Sequence, residues 1–431
     1  MELQSLKERL ISSEIKDGNS SVQNRSESAD LNSLLLTVAN SFLYIGNFYM
    51  LGVAAKEYSS ALQMPESFSG TLAGVNWTSS VLCAFLYSFW SNYQYKIPTA
   101  FCAFICAVGN LMYFLAYDLA SPFWLFLGRI MIGVGGSRVI NRRYISVYVP
   151  VNERTSWNAY YAAGRVLGVA FGTFAAAELY NVNSSFLGLT INGMNSCAFV
   201  MGITWLLYFI LTVFFFTEPE IIKIEKESAI NLQFPTLIES LPLIIVLFGF
   251  FFPKSAQEIL FISLPIITDD YWGWHIDKAG EFLALISLIS SPVHIFVAYT
   301  SKHIQDRDFI IISQVMCVLG CLFMVDFGGY SEWQYMIGAF ILNLGSNMID
   351  GVSTSLISKV IPKSIAHGIW NAGFLVTIVG QLGRAIGGGF VGVTGLGEDK
   401  SNENSMHITL TLLCAMSLAS TMVGYKSLHH K

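Results

Sequence analysis

The stretch from residue 128 to 165 reads GRIMIGVGGSRVINRRYISVYVPVNERTSWNAYYAAGR. Its first part is apolar and rich in glycine, which is typical of a membrane helix, yet arginines interrupt it. These are Arg129, Arg138, Arg142, Arg143 and, after a polar loop, Arg165. A guanidinium keeps its proton in a protein, and at bilayer depth it faces a bundle interior or a water-filled cavity. The stretch therefore predicts fixed positive charge inside a membrane protein, suited to an anion.

The composition is that of a polytopic membrane protein. Of the 431 residues, 53% are hydrophobic and only 12% are charged, whereas a soluble protein carries about 25% charged residues. No basic surface block is present, which argues against nucleic-acid binding. The seven cysteines fall in apolar segments, and no phosphate-binding loop, nucleophile motif or metal-spaced cluster occurs. We therefore expect no catalytic residues, no metal and no cofactor.

Twelve apolar stretches approach the roughly 20 residues that a bilayer requires, and they predict an all-α fold of twelve transmembrane helices. They lie at about 33–55, 70–90, 98–117, 122–147, 155–178, 195–216, 240–266, 280–300, 309–326, 334–359, 367–393 and 406–425. A charged connection divides them into two groups of six. The predicted organisation is a disordered cytosolic tail (1–30), a six-helix bundle (31–217), a cytosolic linker (218–239) and a second six-helix bundle (240–431).

The distribution of Lys and Arg in the predicted connections indicates the orientation. Seven lie on the side of the termini and three on the other side, which predicts that both termini are cytosolic. The two halves also share a pattern. Pro150 precedes Trp157-Asn158-Ala159, and Pro362 precedes Trp370-Asn371-Ala372 in the corresponding helix of the second half. This pattern favours a duplicated six-helix unit, as in transporters built from repeats.

Cations outnumber carboxylates inside the predicted spans. The eight cations are Arg129, Arg138, Arg142, Arg143, Arg165, Lys254, Lys359 and Arg384. Glu258 and Asp350 are the carboxylates well inside, and we infer that mutual salt bridges do not account for the excess. A small oxyanion from solution would neutralise it, because the guanidinium fork matches oxyanion geometry.

Helical spacing selects among the arginines. Arg138, Asn141 and Arg142 share one helix face, while Arg143 lies about 100° round the helix with Tyr144 beside it. An alternative for Arg142 and Arg143 is that they cap the cytosolic helix end and reach towards lipid phosphates. The glycines of this region are interpreted as surfaces for close helix packing.

The seventh predicted span contains Pro253-Lys254 just before Glu258. A proline removes a helical hydrogen bond, so we expect the helix to be interrupted there. Glu258 is then a candidate for proton coupling, and the alternative is a structural Lys254–Glu258 pair. Asp350 and Lys359, with Asn371 and Arg384, would supply the polar lining of the second half.

These residues resemble the membrane part of the SPX-domain major-facilitator proteins, the vacuolar phosphate transporters. The similarity is carried by GRxxxGxGxxRxxNRRYIS (128–146), NSFLYIGNFYM (40–50), FWSNYQYKIP (89–98), AQEIL (256–260), DGVSTSLISKV (350–360) and WNAGF…GQLGRAI (370–386). The resemblance implies the major facilitator fold, a vacuolar or other endomembrane address and transport of inorganic phosphate. The SPX domain itself is absent from the sequence, so regulation through it is expected to be absent or supplied by another chain. Arg129 also resembles the family's helix-4 arginine, which is associated with proton coupling, although an anchor to a neighbouring carbonyl is the alternative.

A second resemblance is to the lysosomal major-facilitator proteins linked to ceroid storage disease, through the glycine-rich fourth span and Glu153-Arg154-Thr155. The prediction is a secondary transporter in the lipid bilayer of a vacuole or lysosome that moves phosphate. The predicted ligands are Arg138 and Arg142, supported by Asn141, Tyr144, Arg384 and Asn371. The predicted proton-coupling or gating residues are Arg129, Arg143, Glu258, Asp350 and Lys359. An anion channel on the same fold and an organic-solute transporter remain the alternatives.

Overall fold

The computed structural model describes residues 30–91, 93–149, 151–218, 237–293, 296, 304–329, 331–361, 372–394 and 400–428. The predicted tail and most of the predicted linker lie outside this part of the chain. So do Asn371 and most of the repeated Pro…Trp-Asn-Ala pattern.

The first half is helical apart from one short hairpin. Its elements are α1 (Leu31–Val53), α2 (Ala55–Ala61), α3 (Phe68–Trp90), α4 (Lys96–Leu115), α5 (Pro122–Val134), α6 (Arg138–Tyr148), α7 (Val151–Leu179), β1 (Ser184–Phe186), β2 (Leu189–Ile191) and α8 (Ser196–Phe215). Asp30 caps α1 by accepting a hydrogen bond from the Ser33 amide at 3.3 Å. The strands β1 and β2 are antiparallel, and Leu187 and Gly188 between them both have positive φ, as a tight hairpin turn requires.

The regular secondary structure in the described residues of the second half is helical. Its elements are α9 (Leu237–Trp272), α10 (Ile276–Ser290), α11 (Asp306–Phe323), α12 (Glu332–Val360), α13 (Ala372–Val393) and α14 (Lys400–Val423). Among the described residues of the whole chain, nine helical stretches are long and apolar enough to cross a membrane. The three other predicted spans correspond to α10, α11 and α12, which are helical as expected. The count of twelve spans and the cytosolic termini stay predictions.

The fourth predicted span is two helices rather than one. α5 ends at Val134 and α6 begins at Arg138, with Gly135-Gly136-Ser137 between them. Side chains at these glycines would collide with neighbours, since a Cβ on Gly136 would lie 2.6 Å from Ser80 Oγ and 2.9 Å from Tyr44 Oη. The close approach therefore depends on glycine, and it places Arg138 at the first turn of a new helix.

The expected interruption of the seventh span at Pro253 is wrong. α9 runs through Pro242, Pro253 and Pro265 without a break. Pro253 cannot donate to the carbonyl of Gly249 four residues earlier. That carbonyl instead accepts hydrogen bonds from Gln314 Nε2 at 3.2 Å and Ser417 Oγ at 3.4 Å. Neighbouring helices thus satisfy the freed carbonyl, as is usual for a proline at membrane depth.

Glycines bring helices of the two halves together. α3 packs against α13, where a Cβ on Gly74 would lie 2.7 Å from the Gly389 amide nitrogen and one on Gly388 would lie 2.5 Å from the Gly74 nitrogen. α7 meets α10, where a Cβ on Gly280 would lie 3.1 Å from the Thr173 carbonyl oxygen. The predicted packing role of glycine is confirmed within the first half as well, because α1 and α7 contact each other at Gly168 and Gly172. These seams flank a polar gap between the halves.

Candidate substrate site between the two halves

A small cavity lies in this gap. Cationic side chains come from both halves, and the lining residues are Arg138, Arg142, Tyr161, Arg165, Phe250, Lys254, Asp350, Val376, Thr377, Gly380 and Arg384. Five of these lining residues are cations and one is a carboxylate. Glu258, which binds Arg384, adds a second carboxylate close by, so the described surroundings of the cavity carry a formal excess of three positive charges. The structure thus places five cationic side chains, from both halves, around one cavity.

Asp350 on α12 joins the two halves. Its carboxylate Oδ2 binds the Arg165 guanidinium of α7 and, at 2.7 Å, the Lys254 ammonium of α9. Lys254 also donates to Gln257 Oε1 at 2.9 Å and to the Ser346 carbonyl at 2.8 Å, which accounts for all three of its protons. The suggested Lys254–Glu258 pair is wrong, because the Lys254 ammonium is directed to α12 instead.

Glu258 is fully buried and is bonded from three other helices. Its carboxylate accepts from Trp77 Nε1 at 2.7 Å, Tyr49 Oη at 3.1 Å and Arg384 Nη1 at 3.3 Å. Arg384 also donates to Tyr49 Oη at 2.8 Å. Mutual salt bridges therefore neutralise some of the buried cations, and the excess of positive charge that counting indicated remains. Tyr49 and Trp77 carry no sequence signal, because aromatic residues in apolar helices are ordinary core residues.

Arg138 and Arg142 project into the cavity from α6. The Arg138 guanidinium lies over the rings of Trp77 and Tyr44, at 4.9 and 5.5 Å from their centroids. Among the described residues its Nη2 is buried without a hydrogen-bond partner, and no carboxylate lies within ion-pair distance of it. Arg142 Nη1 donates to Thr377 Oγ1 of α13 at 3.0 Å, across the two halves. Arg138 is thus the clearest donor for an incoming anion.

Other predicted site residues lie away from this cavity. Asn141 Nδ2 donates to Asn40 Oδ1 at 2.8 Å inside the first half. Tyr144 is buried among aromatic rings, 5.5 Å from Tyr95 between centroids. Both side chains pack into the interior of the first half, so they do not line the cavity with Arg138 and Arg142. The Lys359 side chain, like Asn371, lies outside what the structure describes.

Arg129 and Arg143 are held within the first half. Arg129 Nη1 donates to the Phe48 carbonyl at 3.3 Å, and its guanidinium lies over the Phe48 and Tyr113 rings. This is the anchor to a neighbouring carbonyl that was one of its two interpretations. Arg143 Nη1 donates to the Ser88 carbonyl at 3.0 Å, at the C-terminal end of α3, which agrees with the helix-capping alternative.

A second polar compartment shares Arg165 and Arg384 with the first. The rest of its polar lining comes from Tyr49, Gln257, Ser287, Asn343 and Asn347. The amides bond to one another, with Gln257 Nε2 2.8 Å from Asn343 Oδ1. Buried amides in helices are a weak sequence signal by themselves, and sequence reasoning missed this group.

An ion cluster closes the gap at the end where α1 stops. Lys56 of α2 lies 2.7 Å from Asp269 and 3.6 Å from Asp270, both on α9, and 3.2 Å from Glu66. Burial lowers the pKa of the Lys56 ammonium, but its hydrogen bond to Asp269 and the three negative charges outweigh burial, so the pKa lies above its usual range. Burial raises the pKa of neighbouring Glu57 to about 7. The cluster joins the two halves across the gap.

The chain matches known proteins over most of its length. The profile of the Major Facilitator Superfamily matches residues 37–388. An SPX domain-containing membrane protein of Arabidopsis thaliana is 30% identical, with 92% of this chain and 65% of the relative covered. One from Oryza sativa subsp. indica is 28% identical, with 93% and 65% covered. The chain thus spans slightly less than two thirds of the length of these relatives.

Two solved structures show the same fold. A bacterial homologue of the human lysosomal transporter Spinster, in an inward-facing and occupied conformation, has a TM-score of 0.72 at 13% identity and covers 91% of this chain and 96% of its own. A D-xylose–proton symporter has a TM-score of 0.68 at 14% identity and covers 91% and 97%.

Proposed function

Because the chain belongs to the Major Facilitator Superfamily and is a multi-pass membrane transporter rather than an enzyme, we propose that it moves a small inorganic anion, phosphate, by alternating access. The observation that carries the proposal is the excess positive charge of the cavity between the halves. The described lining residues include one carboxylate, Asp350, and five cations, which are Arg138, Arg142, Arg165, Lys254 and Arg384. Phosphate brings the missing negative charge and accepts several charge-assisted hydrogen bonds at once.

Arg138 and Arg142 are the proposed ligands from the first half, and Arg384 supports them from the second. Arg138 has a buried Nη2 without a hydrogen-bond partner among the described residues, and an unbonded buried donor is costly. An oxyanion in the cavity would satisfy it. The resemblance of residues 128–146 to the vacuolar phosphate transporters supports phosphate as the substrate and a vacuolar or lysosomal membrane as the site of transport.

Protons are the proposed coupling ion, and Glu258 is the proposed carrier. Its carboxylate is bonded to Tyr49 and Trp77 of the first half and to Arg384 of the second. Protonation would remove the charge that attracts Arg384 and weaken a contact between the halves. The proposal includes twelve spans with both termini in the cytosol.

A carrier is favoured over an open channel on the same fold. The Lys56 cluster closes one end of the gap in this structure, whereas a channel needs one continuous path. An organic-solute carrier is the other alternative, and it does not explain the excess of positive charge in the cavity.

The test is uptake of radiolabelled phosphate by proteoliposomes that contain the purified chain. We expect uptake that arsenate inhibits, at least a tenfold loss in Arg138→Gln, and a comparable loss in Arg142→Gln. The matched control is Lys278→Gln, which removes the same charge from a half-exposed lysine paired with Glu332 outside the cavity. Full transport by both arginine variants would disprove the site. Uptake that responds to sugars or nucleosides but not to oxyanions would disprove the substrate.

A further inference from the structure

We propose that Asp350 is a built-in counter-anion that replaces the cargo when the carrier is empty. Its presence allows the empty protein to reorient, so that net flux is possible rather than only exchange of one anion for another. This inference rests on the proposed anion transport and concerns its return step.

The position of Asp350 separates it from the other buried carboxylate. Asp350 lines the cavity, whereas Glu258 is enclosed by Tyr49, Trp77 and Arg384 and does not line it. An anion in the cavity therefore reaches Asp350 and its partners directly, whereas of the Glu258 group it is Arg384 that lines the cavity. A carboxylate and a phosphate offer the same kind of oxygen to a guanidinium, so one can replace the other.

The two described partners of Asp350, Lys254 and Arg165, differ in how firmly they are held. Lys254 has all three protons bonded within its own half, to Gln257, Ser346 and Asp350. Arg165 comes from the opposite half, and its ion pair with Asp350 is the one that bridges the gap. Arg165 also lines both polar compartments. It is therefore placed to release Asp350 and to bind an anion in its stead.

The return of the empty carrier depends on Asp350 because of the charge in the cavity. During alternating access the cavity passes through a state closed at both ends, in which its charges are cut off from water. Bound phosphate lowers the positive excess in that state. In the empty carrier the one negative charge of Asp350 is shared by Arg165 and Lys254 and offsets part of their charge. Without Asp350 both cations would be buried without this counter-charge.

The experiment compares two modes of flux in the same proteoliposomes loaded with radiolabelled phosphate. Net efflux is measured into phosphate-free buffer, and exchange is measured into buffer that contains phosphate. In Asp350→Asn we expect the ratio of net efflux to exchange to fall at least tenfold, which is about 1.4 kcal/mol in the barrier of the return step relative to that of exchange. Asp350→Glu, which keeps the charge, should retain net efflux.

A double variant protects the test against misfolding. Arg165→Gln with Asp350→Asn removes both members of the bridge, so its ratio of net efflux to exchange should return towards the wild-type ratio. An unchanged ratio in Asp350→Asn, a parallel loss of both modes in folded protein, or a collapsed ratio in the double variant would overturn the inference. So would a wild-type protein that exchanges phosphate but shows no net efflux. Absence of phosphate flux in either mode in the wild type would instead disprove the proposed function.

Discussion

Replacing Lys56 with glutamine should open the gap between the halves at the end where α1 stops. Lys56 belongs to the first half, and Asp269 and Asp270 belong to α9 of the second. The lysine is therefore a bridge whose charge is lost when the halves separate there. Glutamine keeps the size and polarity of the side chain and removes the charge.

The expected magnitude follows from the burial of the cluster. The Lys56 side chain is 7% exposed, while its three acidic partners are 23–49% exposed. An exposed ion pair is worth about 0.2–1 kcal/mol, and three partly exposed carboxylates share this one lysine. We expect the closed state to lose about 1–2 kcal/mol, which shifts the ratio of closed to open protein by a factor of roughly 5–30.

A cysteine introduced in place of Gly52 reports this opening. Gly52 lines a small cavity beneath the cluster, and no atom lies within 4 Å of a Cβ built there. In detergent-solubilised Gly52→Cys protein, a polar thiol reagent should react several-fold faster when Lys56→Gln is added. Protein without the Gly52→Cys change gives the background from the seven native cysteines, of which six are buried and Cys83 is half-buried.

Lys278→Gln is the matched control, because it breaks an exposed lysine–glutamate pair, 3.1 Å long, whose members both belong to the second half. It should leave the labelling rate of the introduced thiol unchanged. Equal rates with and without Lys56, or an equal increase in the control, would refute the idea that this cluster closes the gap.

Three further predictions follow from neighbouring features. Burial in the closed cluster near Lys56, Asp269 and Glu66 raises the pKa of Glu57 to about 7, so the closed state binds more protons, is favoured below pH 5 and weakens as pH rises through 7. The labelling rate of the Gly52→Cys thiol, divided at each pH by the rate in protein that also carries Glu57→Gln, should therefore increase from pH 5 to 8. A ratio that does not change with pH would contradict this. Arg384→Leu should cost about 3–5 kcal/mol of stability because it leaves the Glu258 carboxylate buried without its cation; thermal unfolding should show partial recovery when Glu258→Gln is added, and additive losses would argue against the pair. Gly388→Ala should lower the melting temperature, because overpacking where α3 and α13 meet at Gly74 costs about 1–3 kcal/mol. The control is the adjacent Gly389→Ala, which should leave the melting temperature unchanged because no atom lies within 4 Å of its new Cβ. Equal melting temperatures would show that the two helices tolerate a wider spacing.

Local signals in the chain were enough to place its helices. The apolar stretches, the glycine-rich fourth span and the fixed charge of the arginines are properties of short segments. They predicted a helical membrane protein of two six-helix bundles and a cationic cavity, and the family resemblance implied the major facilitator fold. They did not predict the continuity of α9 at Pro253, because the carbonyl of Gly249 is satisfied by Gln314 and Ser417 from distant helices.

The partners of the charges were decided only by the tertiary structure. Arg165 and Asp350 are 185 residues apart, and Glu258 and Arg384 are 126 apart, so helical spacing says nothing about them. The same spacing grouped Asn141 with Arg138 and Arg142, but the packing of α6 against α1 turns the Asn141 amide to Asn40. The sequence by itself determined how much positive charge lies within the membrane part, because guanidinium charge does not depend on the fold. Packing of the two halves determined which cations meet carboxylates and which line the cavity, because ion pairing depends on distances of a few ångströms.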